Sequence, residues 1–197
     1  KELREAFDSI SFFQGIRFNY AVEDDGKSFF KLTIKVRDKI LADGLNDASF
    51  DVTKKGFHVN ALGFNELAED PDTIIIDMRN HYETEVGHFK NAITPDVETF
   101  RESLPIIERM LEENKDKKLL MYCTGGIRCE KASAYFRHRG FQNVFQLNGG
   151  IIEYAHEVQE QNLENKFLGK NFVFDERLGE RIGHEVIAKC HQCGKAC

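Results

Sequence analysis

The sequence predicts an α/β fold, a doubly wound parallel sheet preceded by part of a small α+β unit. Three observations carry that expectation. Thr73 to Asp77 and Lys118 to Tyr122 are short apolar runs without polar alternation, as in strands covered on both faces. Amphipathic helical stretches separate the strands. The length of 197 residues accommodates one such domain and a smaller flanking unit.

Taken in order, Lys1 to about Phe13 places Leu3, Ala6, Phe7 and Ile10 on one helical stripe. Gly15 to Val22 alternates as a strand, Glu23 to Lys27 supplies turn residues, and Ser28 to Val36 alternates again. Residues 38–60 are polar, with Gly44, Gly56 and several aspartates, and read as a linker. Phe64 to Ala68 is a short helix, and the Thr73–Asp77 strand ends on a carboxylate. Val97 to Asn114 is helical, with Asp96 as N-cap and Pro105 expected to kink or divide it. After the Lys118–Tyr122 strand come a helix from Cys129 to Arg139, a strand from Asn143 to Gln146 and a helix from Ile151 to Gln161. The organisation is therefore 1–40, the end of a small α+β domain; 41–62, linker; 63–162, the α/β domain; and 163–197, an extension that opens a cysteine-rich region. The chain starts at Lys1 without methionine and stops at Cys197, which reads as a piece of a longer protein.

Composition narrows the function classes. No apolar run approaches membrane-spanning length and no secretory leader opens the chain. Five cysteines, an odd number with three crowded at the C-terminus, argue against a disulfide framework and for a reducing cytoplasm. A net charge of −6 argues against a uniformly basic nucleic-acid coat. Just after Cys123, however, Arg128, Lys131, Arg137 and Arg139 face only Glu130. That cluster is either a solvated helix face or an anion-binding patch, with Lys131, Arg137 and Arg139 as its candidate phosphate contacts.

The chemistry concentrates at Tyr122-Cys123-Thr124-Gly125-Gly126-Ile127-Arg128-Cys129, where a strand ends and a helix begins. In open parallel sheets, sites form at the carboxyl ends of strands. Two glycines let the backbone of Thr124, Gly125, Gly126 and Ile127 curl with its N–H groups inward. With the helix N-terminus and Arg128 they make a positive bowl, and a thiol at its floor is expected to be a thiolate at neutral pH. The alternative is a buried cysteine acting as a small hydrophobe. Cys129, in the first helical turn, either resolves a disulfide or persulfide on Cys123 or fills space. Asp77 and Arg79 read as a partly buried ion pair bracing the loop, and His88 as either a base or, more in keeping with a lone histidine in such a loop, a structural hydrogen-bonding residue.

Downstream, Gly169 to Ile182 mixes aromatic, acidic and basic residues and reads either as a segment laid across the domain or a ligand, or as an ordinary extended connector. Cys190, Cys193 and Cys197 have C-x2-C-x3-C spacing, which suits half of a zinc site, with His191 nearby and a further ligand expected beyond the chain. The tail alone is expected to be empty of metal or disordered.

Residues Asn65 to Glu160 resemble the rhodanese fold, on four motifs in order: Ile76-Asp77-Met78-Arg79, Gly87 to Ile93, the Cys123 loop, and Leu147-Asn148-Gly149-Gly150-Ile151. That resemblance implies that Cys123 carries a persulfide, with Asp77, Arg79 and His88 supporting the site. The C-x4-R spacing looks like the sulfur-handling loop. The phosphatase relatives have C-x5-R, and usually histidine where Tyr122 stands. The whole chain is similar to the rhodanese-containing tRNA uridine hydroxylases, through the Cys123-to-Ala132 run, Gly169 to Ile182 and Cys190 to Gly194. This implies a ferredoxin-like N-terminal domain and 5-hydroxylation of the tRNA wobble uridine, with molecular oxygen as co-substrate, tRNA as partner and Cys123 as the essential residue. Cys123 would act either by adding to the uracil ring or as a persulfide or sulfenate. The alternative activity is sulfurtransfer, with a sulfur-donor protein as partner.

Overall fold

The computed structural model describes residues 2–23, 34–37, 39, 41–190 and 192–196. A helix α1 (Glu2–Asp8) and a 3-10 turn at Ser11–Phe13 open the chain. The α/β domain follows as β1 (Phe57–Val59), α2 (Ala61–Glu69), β2 (Thr73–Asp77), α3 (His81–Thr84), β3 (Gly87–Phe89), α4 (Phe100–Met110), β4 (Lys118–Tyr122), α5 (Ile127–His138), β5 (Asn143–Leu147) and α6 (Gly150–Gln161). Two further strands, β6 (Phe167–Phe172) and β7 (Gly179–Arg181), close it.

Four strands form a parallel sheet in the order β1-β5-β4-β2. Parallel neighbours need long crossovers, and the helices supply them on both faces. Side-chain alternation along the apolar strands sends one set each way. Leu119, Met121 and Cys123 pack in one core with Leu104 and Ile107 of α4 and with Cys129, Ala132 and Phe136 of α5. Leu120 and Tyr122 pack on the other side with Phe64 of α2, Ile151 and Tyr154 of α6, and Phe89 and Phe167. Covering both faces is what an uninterrupted apolar strand requires, and each fully buried large side chain contributes about 1.5–3 kcal/mol.

The second sheet is antiparallel, ordered β3-β6-β7. His88 stands opposite Leu168, and Asn171 opposite Glu180. The Gly169–Ile182 run is thus laid across the domain as most of β6, a turn and β7.

Several elements differ from expectation. The N-terminal helix ends at Asp8 instead of running to Phe13. Residues 15–22 are not a strand: among the described residues they have no ladder partner, and side chains bond their backbone instead. Arg4 donates to Ile16 O, and Val22 N–H donates to Glu180. Of the predicted strand 28–36, residues 28–33 lie outside the described residues, and 34–36 have no regular structure. The stretch 41–62 is not a bare linker. Its Phe57–Val59 pairs with β5, Asp43 is buried, and Leu41 and Leu45 pack against the α4–α5 core. Asp96 does not cap α4; the helix starts after Thr99, whose N–H donates to Glu102 Oε2 at 3.1 Å. Pro105 does not divide α4, because Phe100, Leu104 and Ile107 hold both halves to one core. The helix gives way only at Leu111, before a 3-10 turn at Glu112–Asn114.

Candidate active site

Strand β4 delivers Cys123 to the carboxyl edge of the parallel sheet, and α5 starts four residues later. Between them Gly126 takes a left-handed conformation, φ 92°, which a side chain would strain. That turn points the Gly126 N–H at Cys123 Sγ, 3.2 Å away. The loop is clamped from behind by α6, whose first turn donates from Ile151 N to Cys123 O and from Ile152 N to Thr124 O, at 3.0 and 3.2 Å. Contact this close requires Gly150: a Cβ there would sit 2.4 Å from Cys123 O.

Cys123 is buried, and its thiol pKa is pushed down to about 6. The leading cause is a hydrogen bond from the Cys129 thiol, followed by the charge of Arg128 and the backbone N–H groups of Cys129 and Gly126; burial opposes them. Burial is the main cause that pushes Cys129 the other way, joined by its bond to the Cys123 sulfur, so Cys129 stays a thiol. At pH 7 a pKa near 6 leaves about nine-tenths of Cys123 as thiolate, against about one-hundredth at its ordinary value. The two cysteines are therefore electrostatically distinct in this geometry, Cys123 as the ionised acceptor and Cys129 as the thiol donor.

Glu83, which the sequence did not single out, organises the loop. It is fully buried on α3 and accepts from Arg128 Nη1 and Nη2 at 2.5 and 2.8 Å, and from Thr124 Oγ1 at 3.3 Å. It also accepts from Asn80 N–H at 3.1 Å. Burial works against its charge, but the bonds and charge of Arg128 outweigh burial and hold its carboxyl below the usual range. The available signal was the spacing Asn80-x-x-Glu83, a helix-start pattern that fixes where a carboxylate points. Arg128 is thus not a free cation over the bowl; it is a braced one.

Asp77 and Arg79 form a fully buried pair, with Arg79 Nη2 2.7 Å from Asp77 Oδ2 and donating also to Gly87 O at 2.6 Å. They tie the end of β2 to β3 and so hold the wall behind the loop. Tyr122 Oη accepts from Phe89 N–H at 3.2 Å, and burial pushes its hydroxyl well up. His88 Nδ1 lies 3.0 Å from Phe89 O within β3. Ile127, at the start of α5, is half exposed.

The three residues expected as phosphate contacts each have an intramolecular partner. Lys131 pairs with buried Asp43, Arg139 with Glu108 at 2.5 Å, and Arg137 donates to Lys55 O at 2.7 Å. The packed 41–60 segment, expected to be a linker, supplies two of these partners. At the tail, backbone N–H groups of Cys193 and Gln192 and the Cys193 thiol bond the Cys190 sulfur and lower its pKa. Two thiols on such a turn fit half of a tetrahedral zinc site. His191 and Cys197 lie outside the described residues, and among the described residues no group of three or more ligating side chains converges. No helix among the described residues is long and apolar enough to cross a membrane.

The chain is similar to several known proteins. The family described as rhodanese-like domain matches residues 61–157, and the rhodanase C-terminal family matches 168–197. A protein of Photorhabdus laumondii named tRNA uridine(34) hydroxylase is 59% identical over 182 residues, covering 92% of this chain and 52% of its own. One of the same name from Leptospira interrogans is 58% identical over 194 residues, covering 98% of this chain and 53% of its own. A solved rhodanese-related protein from Thermoplasma volcanium is 26% identical, with TM-score 0.41 over 51% of this chain and 92% of its own. The chain spans about half the length of the curated relatives it matches.

Proposed function

We propose, from the premise that this chain belongs to the rhodanese-like family and is a homologue of proteins named tRNA uridine(34) hydroxylase, that the intact protein converts the wobble uridine of tRNA to 5-hydroxyuridine. The observation that carries the chemistry is the Cys123 thiolate, buried beneath inward N–H groups and backed by Arg128. Such a sulfur is a strong nucleophile that carries little solvent to strip away.

In this reading Cys123 Sγ bonds to C6 of the uracil. The C5=C6 electron pair moves onto C5 and the C4 carbonyl as an enolate. C5 then bonds an oxygen atom supplied by molecular oxygen. The second oxygen atom leaves as water, which takes two protons and two electrons from a reductant of the thiol class. Loss of the C5 proton restores the ring double bond and expels the thiolate. Cys129 serves as the hydrogen-bond donor that stabilises the sulfur each time its charge returns. Glu83 and Arg128 hold the loop in shape throughout.

The same bowl supports a second reading, a Cys123 persulfide loaded by a sulfur-donor protein, because the Gly126 N–H already points at the sulfur. Zinc, if bound by Cys190, Cys193 and Cys197, would cross-link the tail and take no part at the loop.

The deciding experiment is nucleoside mass spectrometry of tRNA from cells that carry full-length wild-type or Cys123→Ser protein. Loss of 5-hydroxyuridine in the variant strain supports hydroxylation. An unchanged nucleoside profile, with one extra sulfur on wild-type Cys123 and thiocyanate formed from cyanide, transfers the assignment to sulfurtransfer.

A further inference from the structure

The segment Ile16–Glu23 crosses the cysteine loop, and its anchors are specific. Arg4 of α1 donates to Ile16 O at 3.2 Å and lies 4.6 Å over the Phe18 ring. His156 of α6 bonds Tyr20 O at 3.2 Å. At the far end, Val22 N–H donates to Glu180 Oε1 at 3.0 Å, and Arg177 donates to Glu23 O at 2.8 Å. Arg177 and Glu180 belong to the β6–β7 extension and are fixed to each other, with Asp175 holding the other side of the guanidinium. The Gly169–Ile182 run thereby secures the strap over the loop.

Two strap side chains meet the loop itself. Arg17 donates to Asn148 Oδ1, and its Nη1 stands 3.6 Å from where a Cβ on Gly126 would lie. Asn19 Nδ2 stands 2.9 Å from the corresponding point on Gly125. Both residues are exposed on their outer side, as is Tyr20 beside them at 55%. The other cations near the loop are committed: Arg128 to Glu83 and Lys131 to Asp43. Among the described residues Arg17 pairs with no carboxylate, and its partner Asn148 is neutral. Cys123 is only 1% exposed, and Arg17 and Asn19 stand beside the two glycines of its loop.

We infer that Arg17 and Asn19 form the nucleotide-binding wall of this site: Arg17 takes a phosphate oxygen flanking the target base, and the Asn19 carboxamide meets the base's hydrogen-bonding edge. The inference rests on the RNA reading of the site. Unstacked RNA bases are held by edge hydrogen bonds, aromatic stacking and cations on the backbone. The Asn19 carboxamide carries both donors and an acceptor, matched to the adjacent carbonyl and N–H of a uracil. Tyr20 offers the neighbouring aromatic surface, and Arg17 a charge that no carboxylate among the described residues pairs with.

The test uses full-length protein with Arg17→Gln, Arg17→Lys and Asn19→Ala, an anticodon stem-loop RNA, and binding measured across salt concentration. Arg17→Gln is expected to flatten the slope of log K against log salt by about 0.7, the value for one phosphate contact to a single strand, while Arg17→Lys keeps it. Asn19→Ala is expected to weaken binding about tenfold with an unchanged slope. In all three variants, iodoacetamide alkylation of Cys123 keeps its wild-type pH midpoint, which shows an intact loop. Wild-type slope and affinity in both Arg17→Gln and Asn19→Ala would overturn the inference. Absence of 5-hydroxyuridine formation by the wild type would count against the hydroxylase reading alone, since the binding slopes decide the role of the wall separately.

Discussion

Replacing Cys123 by serine removes one titrating group, and its effect on stability can be worked out in advance. The thiol titrates near pH 6 in the folded protein and near 9 when exposed. Its folded pKa is depressed, so between these values the unfolded chain holds a proton that the folded chain has released. Stability therefore rises with pH across the window and is lost as pH falls through 6. Three units correspond to about 4 kcal/mol, of which about 2 kcal/mol develops between pH 6 and pH 8. Cys129 does not cancel this, because its raised pKa lowers stability only above the pH at which an unfolded thiol ionises. Urea unfolding of wild type and Cys123→Ser at pH 6, 7 and 8 gives two stability curves. Their difference is expected to widen toward pH 8 in favour of the wild type. Parallel curves, or a difference that narrows, would refute a buried thiolate.

Two further perturbations probe the frame around the sulfur. Glu83→Gln leaves Arg128 facing a neutral amide in a buried setting, and breaking such a pair costs about 3–5 kcal/mol in urea unfolding. The freed charge of Arg128 then acts more fully on the thiolate, so the alkylation midpoint of Cys123 should fall below its wild-type position; a rise would contradict the assigned role. Gly150→Ala puts a Cβ 2.4 Å from Cys123 O at a φ of 68°. A loss of at least about 2 kcal/mol is expected, with slower Cys123 alkylation at every pH, and near-wild-type values would show that α6 does not clamp the loop.

The site was only partly legible in the sequence, and particular residues show where the boundary fell. Cys123, the glycine pair and Arg128 lie within six residues, so their chemistry is local: a strand end, a tight turn and a helix start suffice to place a sulfur under N–H groups. Glu83 is forty residues away from Cys123 in the chain, and nothing in its own surroundings says that it meets Arg128. Lys131, Arg137 and Arg139 looked like open cations because their partners Asp43, Lys55 and Glu108 come from distant segments. The 41–62 stretch reads as a linker in the sequence because polar residues are expected to be solvated, whereas Asp43 is polar and buried.

The apolar runs at 73–77 and 118–122 determined the parallel sheet by themselves, since a strand with no polar face must be covered on both sides. The cysteine loop likewise determined its own curl and its thiolate, because turn geometry and helix dipole act within a few residues. Tertiary structure alone decided which charges remain available around that thiolate. Ion pairing depends on distance in space, so Arg128 became a brace for the loop and Lys131 a clasp for Asp43. It also decided that residues 15–22, whose alternation fits a strand, lie over the loop with Arg17 and Asn19 against it. Alternation records which side chains share a face; only packing determines what that face meets.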